Sequence, residues 1–192
     1  DEDDEEKVKY WIKYWENTTN FQLEDVDYSK YYARDVNAYF AVKNDGKVKI
    51  KGPWSEVGSQ SGTKLDTNPQ VLICTDAIEA LISKDIPIEH TIRECKDFTR
   101  FVTVRQAKAP GAHWKGTYLG RVLRWAYMLG EIDCIRTVAH NSKIADSDGA
   151  RPYTDLPTEF PSDINYNWYI DKTKEILYDI GYYQCPKQIE FF

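Results

Sequence analysis

The sequence has few of the residues that build metal centres and disulfide frameworks. Its cysteines and histidines are dispersed, with no Cys-x-x-Cys pair and no His-x-x-x-His pair, so a zinc ribbon or a thioredoxin-like redox site has no support. Cysteine–histidine nucleophilic catalysis has none either, since nothing pairs the two residue types. Unclustered cysteines favour reduced, buried thiols in an intracellular protein over a disulfide framework. The cysteines are Cys74, Cys95, Cys134 and Cys185.

Long apolar runs and an excess of positive charge are also lacking. No apolar run approaches the roughly 20 residues that span a bilayer, and no secretory leader is recognisable, so we expect a cytoplasmic protein. The net charge is -6, from 25 Lys and Arg against 31 Asp and Glu. The six acidic residues Asp1–Glu6 account for the whole imbalance. A uniformly basic protein is therefore excluded, and the apolar content of 42% excludes wholesale disorder.

Helical periodicity appears at both ends and in the middle of the chain. Residues 5–16 place Val8, Trp11, Ile12 and Trp15 on one helix face, which we expect to contact the core. Asn68-Pro69 predicts the start of a helix that ends near Lys84. Two more helices are predicted, from Pro87 to about Lys96 and from Tyr166 to Ile180, the latter stopped by Gly181.

Strand signals lie between these helices. Ala33–Val42 predicts one strand, Asn44-Asp45-Gly46 a turn, and Lys47–Lys51 a second strand with its three lysines on one side and Val48 and Ile50 inward. A solvated edge strand protected by lysine would have the same pattern. Later segments predict extended chain at 98–108, strand or helix at 119–128 and loop at 145–163.

Charge is segregated along the chain. From Thr99 to Gly130 there are six basic residues and no acidic one, with Trp and Tyr interleaved, whereas residues 144–192 carry nine acidic and four basic side chains. A basic, aromatic-containing segment is typical of a surface that contacts nucleic-acid phosphates. The same composition also occurs on ordinary solvated faces, so both interpretations stay open.

Several stretches together resemble the family B DNA polymerases of bacteriophage type. In that family a Lys-Lys-Arg-Tyr-like strand leads into a turn and then a Lys-Gly pair. Here those places are taken by Val36-Asn37-Ala38-Tyr39, Asn44-Asp45-Gly46 and Lys51-Gly52, and of the first motif only Tyr39 matches directly. The other similar stretches are Phe21–Tyr28, Tyr32–Lys43, Asn68–Cys95, Gly149–Pro152, Ile164–Ile170 and Ile176–Tyr182.

The resemblance implies the carboxyl-terminal palm edge and thumb of such a polymerase. The fold would be α+β, with small antiparallel palm-edge strands in a domain of residues 1–66, followed by a helical thumb with an accessory β element at 67–192. The family's Tyr-Gly-Asp-Thr-Asp-Ser motif is absent. No catalytic or metal-binding residue is therefore expected in this chain, and the Mg²⁺ of the complete enzyme would be bound by the missing palm.

The resemblance also implies a partner and a set of contacts. The partners would be duplex primer–template DNA and the missing palm and fingers, present in cis or as a separate chain. Tyr39 would lie near the primer end, and the remaining contacts would be to phosphates. The predicted DNA-binding residues are Arg34, Tyr39, Lys43, Lys47, Lys49, Lys51, Arg100, Arg105, Lys108, Lys115, Arg121 and Arg124.

Three other functions are compatible with the sequence. The chain could be a phage-type accessory module that binds proteins through exposed Tyr and Trp and has no DNA affinity. It could be a hydrolase with paired carboxylates, although spacing singles out no pair. It could also be a polymerase remnant that folds and binds nothing. A salt-sensitive affinity for duplex DNA separates the polymerase hypothesis from the first and the third of these functions.

Overall fold

The computed structural model describes residues 2–19, 28–54 and 71–183. Its first element is the helix α1, Glu2–Thr18. The predicted helix is confirmed, but its predicted core contact is wrong. Val8, Trp11 and Trp15 are 57%, 54% and 53% exposed. Periodicity shows which side chains share a helix face, whereas only tertiary packing decides whether another element covers that face.

The first sheet is antiparallel and consists of β1 (Tyr28–Asp35), β2 (Ala38–Lys43) and β3 (Val48–Lys51), in that order. The single strand predicted over Ala33–Val42 is wrong, because the chain turns at Val36-Asn37. The Asn37 N–H donates a hydrogen bond of 2.8 Å to Asp35 Oδ1, which stabilises the turn. The turn predicted at Asn44-Asp45-Gly46 is confirmed: the Lys47 N–H donates to Asp45 Oδ1 at 3.0 Å.

Two helices follow, α2 (Leu72–Lys84) and α3 (Ile88–Glu94). Both confirm that a helix forms in each predicted segment. The predicted start of the first at Asn68-Pro69 is wrong, because Val71 is extended and the helix begins at Leu72; Asn68 and Pro69 themselves lie outside the described residues. The extended chain predicted over 98–108 is wrong at its beginning, where Phe98–Phe101 forms a 3₁₀ helix. The Asp97 carboxylate accepts a hydrogen bond of 3.0 Å from the Thr99 N–H, and such a cap favours the helical turn over extended chain.

The described residues form two more antiparallel sheets after residue 100. One has the order β4-β7-β9, with β4 at Thr103–Gln106, β7 at Val122–Tyr127 and β9 at Ala150–Pro152. The other has the order β6-β5-β8, with β5 at Ala112–Trp114, β6 at Thr117–Gly120 and β8 at Arg136–Thr137. Residues 119–128 are therefore largely strand, and the loop predicted at 145–163 contains β9.

The helix α4, Tyr166–Asp179, confirms the predicted last helix. The Trp168 N–H donates to Asn165 Oδ1 at its start, and Gly181 adopts a φ of +75° just after its end. The hydrophobic core extends from Phe40 in the first sheet to Leu177 in α4. The α+β class is confirmed. The predicted boundary between residues 66 and 67 lies outside the described residues, so the division into two domains stays a prediction.

The described cysteines carry free thiols in different environments. Cys74 is buried, whereas Cys95 and Cys134 are half-buried; Cys185 lies outside the described residues. Of the three described thiols, all of which were predicted to be buried, that of Cys74 is fully buried. In residues 2–19, 28–54 and 71–183, no helix has the length and apolarity needed to cross a membrane.

Candidate nucleic-acid interface

The two faces of the first sheet differ in character. Phe40 and Val42 of β2 belong to the hydrophobic core, and Val48 and Ile50 of β3 pack against it. Side chains alternate between the two faces of a strand. The opposite face, called here the outer face, therefore carries the side chains of Tyr31, Tyr39, Lys43, Lys49 and Lys51.

Strand register brings these side chains into neighbouring rows. Ala41 pairs with Tyr31 on one side and with Lys49 on the other. Tyr39 pairs with Lys51 in the next row. Four predicted DNA-binding residues of the first sheet thus share one surface, together with a tyrosine that the sequence analysis missed.

Tyr31 belongs to a row of tyrosine rings on this surface. Its ring centroid is 5.0 Å from that of Tyr39 and 6.1 Å from that of Tyr28. Tyr31 is 50% exposed, whereas Tyr39 is 8% exposed. Partial burial, followed by the neighbouring tyrosines, raises the pKa of the Tyr31 hydroxyl. The predicted strand began at Ala33; extending the alternation towards Tyr28 would have included Tyr31.

Lys47 lies in the turn before β3 instead of on the strand. Its side chain is 81% exposed, and its Nζ is 3.2 Å from Asp45 Oδ2. The Lys47 N–H, followed by its ammonium group, lowers the pKa of Asp45. The predicted row of three lysines therefore reduces to Lys49 and Lys51 on the strand, with Lys47 paired beside them.

Arg34 lies away from the outer face. Its guanidinium carbon is 5.4 Å from the centroid of the Trp54 ring, and its Nε donates a hydrogen bond of 3.1 Å to Asp35 Oδ2. It lines a cleft of about 210 Å³ together with Trp54, Lys172 and other residues. The Asn37 N–H and then Arg34 lower the pKa of Asp35. The structure thus separates Arg34 from the lysines with which it was predicted to act.

The basic segment from Arg100 to Arg124 contains residues engaged within the fold. Arg100 contacts both carboxylate oxygens of Asp76, at 2.8 Å from Nε and 2.5 Å from Nη2. Arg105 Nη1 donates a hydrogen bond of 2.7 Å to the carbonyl oxygen of Ala145. The charge of Arg100 is therefore largely compensated within the fold.

Lys115 is also engaged, at the tip of the β5–β6 hairpin. Its Nζ lies 2.8 Å from Glu131 Oε1 and 3.1 Å from Asp133 Oδ2. It also lies 4.3 Å from the centroid of the Trp114 ring. The hydrogen bond to Glu131, the largest of several causes, raises the pKa of Lys115. A DNA phosphate would have to compete with two carboxylates for this ammonium group.

Lys108, Arg121 and Arg124 are exposed basic residues of this segment, as is the ion-paired Lys115. Arg124 pairs across the sheet with Val104, on the face opposite the buried Leu123 and Trp125. Its guanidinium group is therefore presented to solvent by a regular strand. Of the six predicted residues in the segment, Lys108, Arg121 and Arg124 are exposed and form no ion pair within the described part of the chain, which suits contact with a phosphate backbone.

Comparison with known proteins assigns no family to this chain. No family model, curated protein or solved structure matches this chain. The polymerase hypothesis therefore depends on the sequence motifs and on the surfaces described above. Among the described residues, His, Cys, Asp and Glu side chains form no group of three that could hold a metal ion.

Proposed function

We propose that this chain is the carboxyl-terminal palm edge and thumb of a family B, phage-type DNA polymerase, and that it holds the primer–template duplex during DNA replication. It acts in the cytoplasm of the infected host cell. The catalytic carboxylates and their Mg²⁺ ions belong to the missing palm, so the chain has no nucleotidyltransferase activity alone. The observation that carries the proposal is the outer face, where three lysines and two tyrosines meet.

The spacing of the outer-face lysines suits a phosphate backbone. Alternate residues of a strand are roughly 7 Å apart, so this distance separates Lys49 from Lys51. Each DNA strand carries a phosphate about every 3.4 Å along the helix axis, so the two lysines match the rise of two nucleotides. Such contacts neutralise phosphates and position the duplex without reading its sequence. Lys108, Arg121 and Arg124 supply a second set of exposed cations.

The deciding experiment is a titration of a fluorescein-labelled duplex at several salt concentrations. Each phosphate neutralised contributes a slope of about -0.9 to the plot of log K against log salt. The double variant Lys49→Gln, Lys51→Gln should reduce the magnitude of the slope by about 2 if each lysine contacts one phosphate. The charge-matched control Lys172→Gln, Lys174→Gln, on α4, should retain the wild-type slope.

Two results would overturn the proposal. One is an affinity for duplex DNA that is undetectable or independent of salt at low ionic strength. The other is an equal loss of slope in the outer-face variant and in the α4 control, which would show that only net charge matters.

One observation favours the alternative, a phage-type accessory module that binds proteins and not DNA. The helix α1 exposes a broad aromatic surface, since Tyr10, Trp11, Tyr14 and Trp15 are 46–64% exposed. Exposed Trp and Tyr are typical hot spots of protein interfaces. In the polymerase hypothesis this surface contacts the missing palm and fingers. Both hypotheses therefore expect a protein partner at α1, and the salt titration of DNA distinguishes them.

A further inference from the structure

The tyrosine row of the outer face lies apart from the main hydrophobic cluster. Tyr28, Tyr31 and Tyr39 do not belong to that cluster, although Tyr39 is buried at 8% exposure. Tyr31 covers part of Tyr39 and leaves half of its own surface in solvent. This arrangement keeps an aromatic side chain at the surface, in a position set by two neighbouring rings.

Contacts to duplex phosphates do not require such a ring. A duplex stacks its bases inside and presents phosphates and sugars outside, which lysine side chains contact directly. An unpaired base, by contrast, exposes its own flat face. Proteins that bind single strands combine a positive surface with aromatic rings on which bases stack, and sheet surfaces are a common platform for those rings.

We propose that Tyr31 is the stacking site for an unpaired base at a single-stranded DNA end, and that Lys49 and Lys51 bind the adjoining phosphates. The inference rests on the proposed DNA-binding function and specifies that the outer face binds the single-stranded end of the DNA. Lys49 and Lys51 also contact the terminal phosphates of the duplex from which this end emerges, and Lys108, Arg121 and Arg124 contact the rest of the duplex.

The sheet register supports this division of roles. Tyr31 and Lys49 lie in the same cross-strand row, on either side of Ala41. Two strand spacings separate their backbones, which is about 10 Å. Lys51 lies in the neighbouring row, beside Tyr39. In the proposed arrangement, a base stacks on the Tyr31 ring and its phosphate extends across β2 towards Lys49 and Lys51.

Preorganisation strengthens the case for Tyr31. A tyrosine loses little side-chain entropy on binding, and less still when neighbours already restrict its ring. The Tyr39 and Tyr28 rings lie 5.0 Å and 6.1 Å away and supply that restriction. Tyr178, which is 55% exposed on α4, offers a matched control, because it lies outside the first sheet.

The test compares three fluorescein-labelled probes on the full chain: an oligothymidylate, an abasic strand of the same length and a blunt duplex. Stacking on an aromatic side chain contributes about 1–3 kcal/mol per base, so Tyr31→Leu should weaken oligothymidylate binding at least about fivefold. Tyr31→Phe should retain the affinity, because the ring remains. Tyr178→Leu should leave all three affinities within about twofold of wild type.

The abasic strand makes the test independent of how well the variants fold. Wild-type protein should bind it several-fold more weakly than oligothymidylate, since it offers phosphates without bases. Equal binding of the two strands would overturn the stacking site, as would an equal loss of duplex and oligothymidylate affinity in Tyr31→Leu. Failure of the proposed function would differ: the wild-type chain would then bind none of the three probes in a salt-dependent manner.

Discussion

The hydroxyl group of Tyr169 accepts a hydrogen bond of 2.9 Å from the backbone N–H of Tyr127 and thereby joins α4 to β7. The same hydroxyl donates a hydrogen bond of 2.9 Å to the carbonyl oxygen of Phe101. Tyr169 is completely buried, and burial raises the pKa of its hydroxyl well above the usual value. One side chain thus satisfies two backbone groups that lie far apart in the sequence.

Replacement of Tyr169 by Phe should destabilise the protein strongly. The ring would still fill its site, but the Tyr127 N–H and the Phe101 carbonyl would lose their partner inside the core. Each unsatisfied group costs about 1–3 kcal/mol, so we expect the free energy of unfolding to fall by at least about 2 kcal/mol. Urea unfolding measures it. Tyr178→Phe, on the exposed side of the same helix, should change it by less than about 0.5 kcal/mol.

Gly52 should tolerate substitution less well than Gly46. Both adopt positive φ, at +91° and +83°. A Cβ at Gly52 would lie 2.5 Å from the Asn37 carbonyl oxygen, whereas one at Gly46 would meet nothing within 4 Å. Gly46→Ala should therefore cost only the strain of the left-handed conformation, about 1 kcal/mol, and Gly52→Ala clearly more. Equal unfolding midpoints of the two variants in urea would contradict this steric argument.

Substitution of Arg100 should reduce the stability of the fold, whereas substitution of Arg124 should reduce the affinity for DNA. Arg100→Gln should lower the free energy of unfolding by about 1 kcal/mol, because it breaks a partly buried two-point ion pair with Asp76. Its duplex affinity should stay close to wild type. Arg124→Gln should show the opposite pattern, with unchanged stability and weaker, less salt-dependent DNA binding. Urea unfolding and the duplex titration, run on both variants, check the prediction; equal DNA defects would contradict it.

Alkaline pH should destabilise the protein through Cys74. Burial raises the pKa of its thiol from 9 to about 12. In the unfolded state the thiol loses its proton near its ordinary pKa, while the folded state keeps the proton until much higher pH. The stabilising contribution is therefore complete below about pH 9 and declines by roughly 1 kcal/mol per pH unit as the pH approaches 12. Burial also raises the pKa of the Tyr127 hydroxyl to about 12. Its contribution to the free energy of unfolding therefore also declines with increasing pH, starting near its ordinary pKa of 10.

Urea unfolding at a series of pH values measures this decline. Cys74→Ala removes the ionisable group, so its free energy of unfolding should be lower at neutral pH but should decline less between about pH 9 and 10. An identical decline in the two proteins would assign the effect to other groups.

Short-range sequence patterns were sufficient to predict several structural elements. The apolar stripes of α2 and α4 and the turn at Asn44-Asp45-Gly46 depend on residues only a few positions apart, and the structure confirms all three. The turn at Val36-Asn37 was missed, because the strand types around it favoured continuous extension. The Asp35 carboxylate, which accepts the Asn37 N–H, stabilises the reversal, and the lack of a side chain at Gly52 leaves room for the Asn37 carbonyl oxygen.

The candidate site depended much more on tertiary structure. The alternation in β3 placed Lys49 and Lys51 on one face, and alternation extended towards Tyr28 would have included Tyr31, but only the pairing of β1 with β2 placed this tyrosine beside the lysines. The segment from Arg100 to Arg124 was basic by composition, yet Arg100 and Lys115 contact carboxylates 24 and 16 residues away. No local pattern predicts such partners.

The sequence by itself determined the α+β class, the principal helices, the lack of Cys-x-x-Cys and His-x-x-x-His spacings and the uneven distribution of charge. These properties follow from composition and short-range periodicity, which act along a few residues of chain. Tertiary structure alone decided which cations stay exposed, which tyrosine joins the lysines, and that the aromatic face of α1 stays uncovered. Those outcomes depend on pairing and packing between distant segments, and the same local patterns are compatible with several such arrangements.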